Sequence, residues 1–248
     1  MKTIIKILKE HFESVDSTNN KAALQSTQIK DRTLLLTTAD EQTSGRGRFG
    51  HQWLSPSKLN FYGSFSFLFD STRKDIGNLP QVLAISAAKA LHNLGVAIEL
   101  KWPNDLIIKG KKLGGILTEA KVNEHPNHIY MIIGIGININ MPEEMLNNLG
   151  RPATSLMIEL REINDIQKIR DILLQVFIQD LNLFIKCGFT SFLDEYKEKL
   201  CHKSGDQIRF HVHGEVLEGV FNEISESGSL KLFLQDGTIS EFTSGEIF

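Results

Sequence analysis

Residues 44–53, SGRGRFGHQW, place Gly45, Gly47 and Gly50 in a G-x-G-x-x-G spacing with Arg46 and Arg48 between them. Glycines let backbone N–H groups come close to an anion. Each arginine adds a forked, permanently charged donor suited to carboxylate or phosphate. A dinucleotide fingerprint, however, needs a strand before it and a helix after it. An apolar strand is predicted at 32–38, but no helix follows. HQWLSPSKLN, with Pro56 and Asn60, runs straight into an aromatic strand at 59–69. Without the helix, the position of Asp70 is no ribose-binding signal, and a nicotinamide oxidoreductase is disfavoured. A P-loop fails as well, because His51 and Gln52 stand where Lys and Ser/Thr are required. The loop is then either a solvated basic surface loop or one that grips an anion, with Trp53 placed to lie against a flat ligand or to seal it. An RNA-binding role would want more than this one Gly-Arg unit.

Three further stretches raise the odds of a site. KWPNDL (101–106) sets Asn104 beside Asp105, a pair that can hold magnesium or a polar nucleophile, or simply form a solvated turn. KKLGGILTE (111–119) puts Lys112 just before Gly114 and Gly115. IGIGININ (133–140) puts Gly134 and Gly136 on one strand face, followed by Asn138. Glycine weakens a strand interior, so these four glycines in neighbouring strands predict space kept clear for a ligand.

The elements that must position these residues follow from periodicity. A short capped helix is predicted over 16–25, a buried strand over 32–39, and a strand alternating over Phe61, Phe65, Phe67 and Phe69. A helix with Pro80 in its first turn and Gly95 at its end covers 78–95. Strands follow at 96–100, at 105–122 as two strands joined at Lys109-Gly110, and at 128–140. Ile166, Ile169, Leu173, Val176, Phe177, Leu181 and Phe184 recur at helical spacing over 165–186, and a second helix is predicted at 189–200. After Ser204-Gly205, short strands separated by Gly214, Ser227-Gly228 and Asp236-Gly237 read as a small all-β module. The fold class is α+β: a mixed, mostly antiparallel sheet with helices, then a small β-barrel.

Composition fits this picture. The chain has 248 residues, 41% hydrophobic and 23% charged, with net charge −3 and pI about 6.2. A generic polyanion binder would be basic, so positive charge must act locally. Two cysteines, Cys187 and Cys201, make neither a disulfide framework nor a zinc site. The start, MKTIIKILKEHF, lacks the features of a signal peptide. No apolar run reaches the ~20 residues needed to span a bilayer. A cytoplasmic setting is expected. His211 and His213 share a strand face and could bind metal, but no third ligand is evident, so surface or structural roles are preferred.

Taken together, DSTN (16–19), EQTSGRGRFGHQWLSP (41–56), KWPNDL, KLGGILTE and IGIGININ occur in an order and spacing that resembles the biotin–protein ligases, over about residues 13–247. The resemblance implies a class II synthetase-like catalytic domain over 1–202 and a C-terminal SH3-like β-barrel over 203–248. It implies a two-step reaction: biotin and MgATP give biotinyl-5′-AMP, and the biotinyl group passes to a lysine of a biotin carboxyl carrier domain. By motif position, Ser17, Thr18, Asn19 and Gln42 resemble the residues at the ureido ring. Arg46, Gly47 and Arg48 resemble the loop over the carboxylate and the adenylate phosphate. Lys112 resembles the family's essential lysine, and Gly115 and Leu117 line the biotin slot. Trp53, Lys101, Asn104 and Asn138, with the two arginines, resemble the ATP side. Lys112, Arg48 and Asp105 are the catalytic candidates, and Asn104 and Asp105 a candidate magnesium pair.

Only about a dozen residues precede DSTN, so no DNA-binding or repressor function is expected, and no membrane partner. A homodimer is possible through an exposed sheet edge. The nearest alternative is a lipoate–protein ligase of the same fold, whose Arg-Arg-x-x-Gly-Gly-Gly signature is missing here.

Overall fold

The computed structural model describes residues 3–122, 127–212 and 214–248. The larger sheet has seven strands: β1 (Lys6–Val15), β2 (Thr33–Gln42), β3 (Phe61–Asp70), β4 (Glu99–Lys101), β5 (Asp105–Ile108), β6 (Lys111–Val122) and β7 (His128–Ile137). Their spatial order is β1-β2-β3-β7-β6-β5-β4. Only β1 and β2 pair in parallel; every other neighbour is antiparallel. The predicted hairpin at Lys109-Gly110 joins β5 to β6, with both turn residues at positive φ (49° and 77°).

β1 has no counterpart among the elements predicted from periodicity. It is an edge strand with most side chains exposed, so neither face leaves a clean alternation in the sequence. Its parallel register, ending at Val15↔Gln42, has a consequence for the site. It delivers the next residues, Asp16–Asn19 in number order, to the end of β2 where Gln42 stands.

The helices cover the two sheet faces unequally. Helices α1 (Thr18–Ala23), α2 (Leu79–His92), α3 (Glu143–Asn147), α4 (Leu156–Leu160), α5 (Ile166–Cys187) and α6 (Leu193–Lys199) follow in chain order. The short α3 and α4 were not expected. α5 starts where Asp165 accepts hydrogen bonds from the Gln167 and Lys168 N–H groups at 2.9 and 3.0 Å, satisfying two donors that a helix start leaves open. Its apolar stripe and that of α2 pack on one face against Leu34, Leu36, Phe65, Phe67, Phe69, Ile133 and Ile135. The period of two sends the intervening residues to the other face. There Leu35, Leu68, Tyr130 and Ile132 meet Ala22 of α1, while Ser64, Gly134 and Gly136 lie farther along the same face.

The C-terminal strands β8 (Gln207–Val212), β9 (Glu215–Ile224), β10 (Leu230–Leu234), β11 (Ile239–Phe242) and β12 (Glu246–Ile247) form a second, antiparallel sheet ordered β11-β10-β9-β8-β12. Its core is continuous with that of the larger sheet. Trp102, 2% exposed, sits 6.0 Å ring to ring from Phe210 and donates from Nε1 to Gly228 O at 3.0 Å. Asn78 and Gln81 donate to Ser227 O and Gly228 O, each at 2.8 Å. Among the described residues no helix is long and apolar enough to cross a membrane, and no group of three or more His, Cys, Asp or Glu could hold a metal. His213 lies outside the described residues, so the pairing considered for it with His211 has no structural account.

Candidate active site

A cleft open to solvent, about 810 Å³ when the space at its mouth is included, lies on the sheet face opposite α2 and α5. Its floor consists of two adjacent rows across the strands. One runs Asp105, Gly115, Gly136; the other runs Leu117, Gly134 and leaves the cleft lining at Ser64, which is fully buried. The walls come from the start of α1, the glycine loop, the WPND turn with its cis Trp102–Pro103 peptide, and the tip of the C-terminal sheet.

One end of the cleft is polar and mostly uncharged. Ser17, Thr18 and Asn19 are each 4% exposed and line it. Gln42 Oε1 accepts from the Thr18 backbone N–H at 2.9 Å and from Thr18 Oγ1 at 3.2 Å, while Gln42 Nε2 donates to Ser55 Oγ at 3.0 Å. Ser64 Oγ donates to Asn19 Oδ1 at 2.6 Å and lies 2.8 Å from Thr18 Oγ1. These groups are oriented by one another, which makes a fixed pattern of donors and acceptors without a charge to desolvate.

The opposite end is cationic. Lys112 Nζ meets Asp105 Oδ1 at 2.6 Å, the two side chains being 16% and 17% exposed. Burial pushes the Lys112 ammonium below the ordinary lysine value, with Asp105 opposing that shift. An ammonium has three donors, so the contact with one carboxylate leaves capacity for another anion. Lys112 also lies 5.8 Å from the centre of the Trp53 ring, as does the guanidinium of Arg151. Arg48 donates to Asn104 Oδ1 at 3.3 Å and to Gly245 O at 2.8 Å; burial lowers its pKa, against the pull of Asp105 and Glu246. Lys101 completes this wall.

The glycine loop carries its two arginines to opposite ends. Arg46 Nη2 donates to Asn20 Oδ1 at 2.8 Å and to both oxygens of Glu119 at 3.1 and 3.2 Å. Arg48 instead joins the WPND turn to the C-terminal sheet. The loop tip rests on that sheet: Phe49, with φ 53°, lies 6.3 Å from the ring of His211, and His51 Nε2 is 3.5 Å from Glu246 Oε2.

The strand glycines behave differently from the expected ligand space. A Cβ on Gly134 would collide with Asn19, and one on Gly136 would come 2.5 Å from Trp53 Nε1. Gly115 faces Lys112 and Asp105, while a Cβ on Gly114 would meet Gly136 O at 2.7 Å and Leu106 at 3.1 Å. The room is kept mainly for site side chains and strand packing. Asn104 and Asp105 also have other occupations: the Asn104 amide is spent on Arg48 and on Ile116 O (2.6 Å), and Asp105 on Lys112. They do not fit a resident metal ion.

The sequence-predicted residues Ser17, Thr18, Asn19, Gln42, Arg46, Gly47, Arg48 and Trp53 line this one cleft, as do Lys101, Asn104, Asp105, Lys112, Gly115 and Leu117. Asn138 does not. It borders a smaller hollow behind Trp53, where its Nδ2 donates to Thr154 O at 3.0 Å. Trp53, Lys112 and Arg151 wall both spaces. Arg151, Ser64, Glu119 and Glu246 were not singled out from sequence. Glu119 was legible, since Gly115, Leu117 and Glu119 alternate on one strand face; Arg151 lies in a loop with no pattern.

Comparison with known proteins identifies relatives of the chain. Residues 11–138 match the model of the Biotin/lipoate A/B protein ligase family. The chain is 31% identical over 240 residues to the bifunctional ligase/repressor BirA of Escherichia coli, covering 94% of this chain and 71% of that one. It is 29% identical to the biotin–[acetyl-CoA-carboxylase] ligase of Paracoccus denitrificans, covering 88% and 90% of the two chains. The structure of the Aquifex aeolicus biotin protein ligase in complex with biotin and ATP superposes with a TM-score of 0.78 at 29% identity, covering 97% of each chain. This chain therefore belongs to the biotin/lipoate A/B protein ligase family, among its biotin–protein ligases.

Proposed function

We propose that the protein is an ATP-dependent biotin–protein ligase, which forms biotinyl-5′-AMP and transfers the biotinyl group to a lysine of a biotin carboxyl carrier domain. The observation that carries this is the polarity gradient of the cleft. Biotin is a compact acid with a neutral urea at one end and a carboxylate at the other. The Ser17–Thr18–Asn19–Gln42 end offers uncharged donors and acceptors for a urea; the Lys112–Arg48–Arg151 end offers cations for an acid. A lipoyl dithiolane would have no use for the polar head.

In the first step a carboxylate attacks the α-phosphate of ATP and the α–β phosphoanhydride breaks to release pyrophosphate, so two anions must approach. Lys112, Arg48, Lys101 and Arg151 offset their repulsion, and Asp105 holds Lys112 in place. Trp53 stands between the biotin slot and the hollow at Asn138, to which we assign the adenine side. Magnesium enters with the triphosphate as part of the substrate, and no step is assigned to an ion on the protein. In the second step the carrier lysine, with a pKa near 10.4, must give up a proton. The neutral amine then attacks the anhydride carbonyl and expels AMP, and we assign to Asp105, through the oxygen not held by Lys112, the orienting of that amine. The mixed anhydride needs shelter from water, which the glycine loop supplies. Residues 1–202 form the catalytic part in this proposal, and residues 203–248 a module that anchors the loop.

The test is to mix the protein with biotin, MgATP and a carboxyl-carrier domain, then to follow biotin-dependent AMP formation and avidin binding of the carrier. Lipoate serves as the competing substrate. Absence of biotin-dependent AMP, or faster turnover with lipoate, overturns the proposal.

A further inference from the structure

Glu119 joins two parts of the site that chemistry alone would leave separate. Its Oε2 accepts from Asn19 Nδ2 on α1 at 2.7 Å, and both of its oxygens accept from Arg46 Nη2 of the glycine loop at 3.1 and 3.2 Å. Asn20 Oδ1 supports Arg46 from the other side at 2.8 Å, and Asn20 is itself held by Asp16. The carboxylate thus ties β6, α1 and the loop together beside the Ser17–Asn19 end of the cleft.

Two consequences follow from the chemistry of a carboxylate. An ionised carboxylate only accepts hydrogen bonds, so it selects one orientation of the Asn19 amide. Nδ2 turns towards Glu119 and Leu117 O (3.3 Å), and Oδ1 is left facing Ser64 and the strip over Gly134. Turning that amide over would set Oδ1 against the Glu119 carboxylate. The second consequence concerns Arg46. Its pair with Glu119 is two-fifths exposed on each side, so it adds little to folding. What it supplies is location: it keeps Arg46 at the ureido end while Arg48 is held at the other.

We propose that Glu119 is a positioning residue for biotin recognition, setting the Asn19 amide that meets the urea and pinning the Arg46 end of the glycine loop. This rests on the biotin–protein ligase reading above. Glu119 touches none of the groups at the Lys112–Asp105 end, so its loss acts on biotin rather than on ATP. The glycine loop then has two independent anchors, one on β6 and one on the C-terminal sheet.

The test measures biotin-dependent adenylate formation in the full chain, with KM for biotin, KM for ATP and kcat taken separately. Variants are Glu119→Ala, Glu119→Gln, Arg46→Ala and the Glu119→Ala/Arg46→Ala double. Glu119→Ala should raise KM for biotin about tenfold, the scale of losing hydrogen bonds to a charged group, with KM for ATP unchanged. Glu119→Gln keeps an acceptor for Asn19 but no charge for Arg46, so it should recover part of the loss. The double variant should lose less than the product of the two single effects, as coupled neighbours do. Equal losses in biotin and ATP parameters, or effects that multiply independently, overturn the proposal while leaving the ligase activity of the parent standing. A parent protein that forms no biotin-dependent adenylate overturns the ligase reading and this proposal with it.

Discussion

Gly136→Ala adds a single methyl group to the floor of the cleft, and its consequence can be worked out from the geometry. The new Cβ would lie 2.5 Å from Trp53 Nε1, 2.6 Å from Cε2 and 2.9 Å from Cζ2. Restoring ordinary contact requires the indole to retreat by about 1 Å, and well-packed sites resist such overpacking at about 1–3 kcal/mol. Here the ring borders open space, so it can move into the cleft. The folding loss should fall at the low end, about 1 kcal/mol, or a drop of roughly 2–4 °C in Tm for a chain of this size. The larger effect falls on the ligand, because the indole moves into the cleft space that the proposal assigns to biotin. A displacement of about 1 Å at a reacting centre can cost about 10²-fold in rate. Biotin-dependent pyrophosphate release should therefore fall by one to two orders of magnitude in kcat/KM, out of proportion to the stability change. Tryptophan fluorescence should shift as well, since Trp53 is the more exposed of the two tryptophans. Gly77→Ala, whose Cβ would meet nothing within 4 Å, is the matched control and should be neutral in both assays. If Gly136→Ala keeps parental kcat/KM while folding normally, Trp53 does not form a wall of the substrate slot. If the two losses are equal in free energy, the glycine serves packing alone.

Three further outcomes are expected. Lys112→Ala should lower adenylate formation by about 10²–10³, the usual range for one transition-state donor; circular dichroism should show a folded chain, because the Lys112–Asp105 pair borders open cleft rather than a sealed interior. Burial holds the Lys112 pKa below 10.5, so its charge, and adenylation with it, should be lost on raising pH with a midpoint below that value. Over the same window the folded state binds fewer protons than the unfolded chain, so this group's contribution to stability rises with pH; a pH–rate profile with its alkaline limb at or above 10.5 would contradict the assignment. Glu246→Ala frees His51 and loosens the seat of the loop tip, which should speed release of preformed adenylate by about twofold, since so exposed a contact is worth a few tenths of a kcal/mol, measured by filtration of labelled complex.

What the sequence revealed and what it hid divide along physical lines. Periodic elements were legible: the aromatic β3, the stripe of α5 and the Lys109-Gly110 hairpin announce themselves by spacing. β1 was not, because an exposed edge strand has no buried face to impose alternation. The site motifs were legible as residue types, and all but Asn138 line the main cleft. Their partners were harder. Nothing near Gly134 or Gly136 in the chain says that Asn19 and Trp53 will occupy the space above them, since those contacts depend on strand register and loop path. Arg151 has the same difficulty: it reaches Trp53 from a loop about a hundred residues away in sequence. Residue types fix what chemistry is available, whereas long-range register decides which groups share a wall.

The glycine loop shows why that distinction matters for mechanism. Two arginines in one Gly-Arg-Gly-Arg run invite the view that both grip the same anion. In the folded chain they are separated: Arg46 is committed to Glu119 and Asn20, Arg48 to Asn104 and the Gly245 carbonyl. Gly47 stands between them in extended backbone while each guanidinium reaches a different wall. On the proposed assignment a loop held this way would meet both halves of an acyl-adenylate at once, because one anchor stands beside the residues assigned to the ureido ring and the other beside the cations assigned to the phosphate. Losing either anchor should loosen the lid from its own end, which predicts different kinetic signatures: weaker biotin binding for Arg46, and faster adenylate escape for Arg48. If substitutions at the two arginines instead gave the same change in every constant, the loop would be acting as one undivided patch of charge, and the separation of the two anchors would have no catalytic meaning.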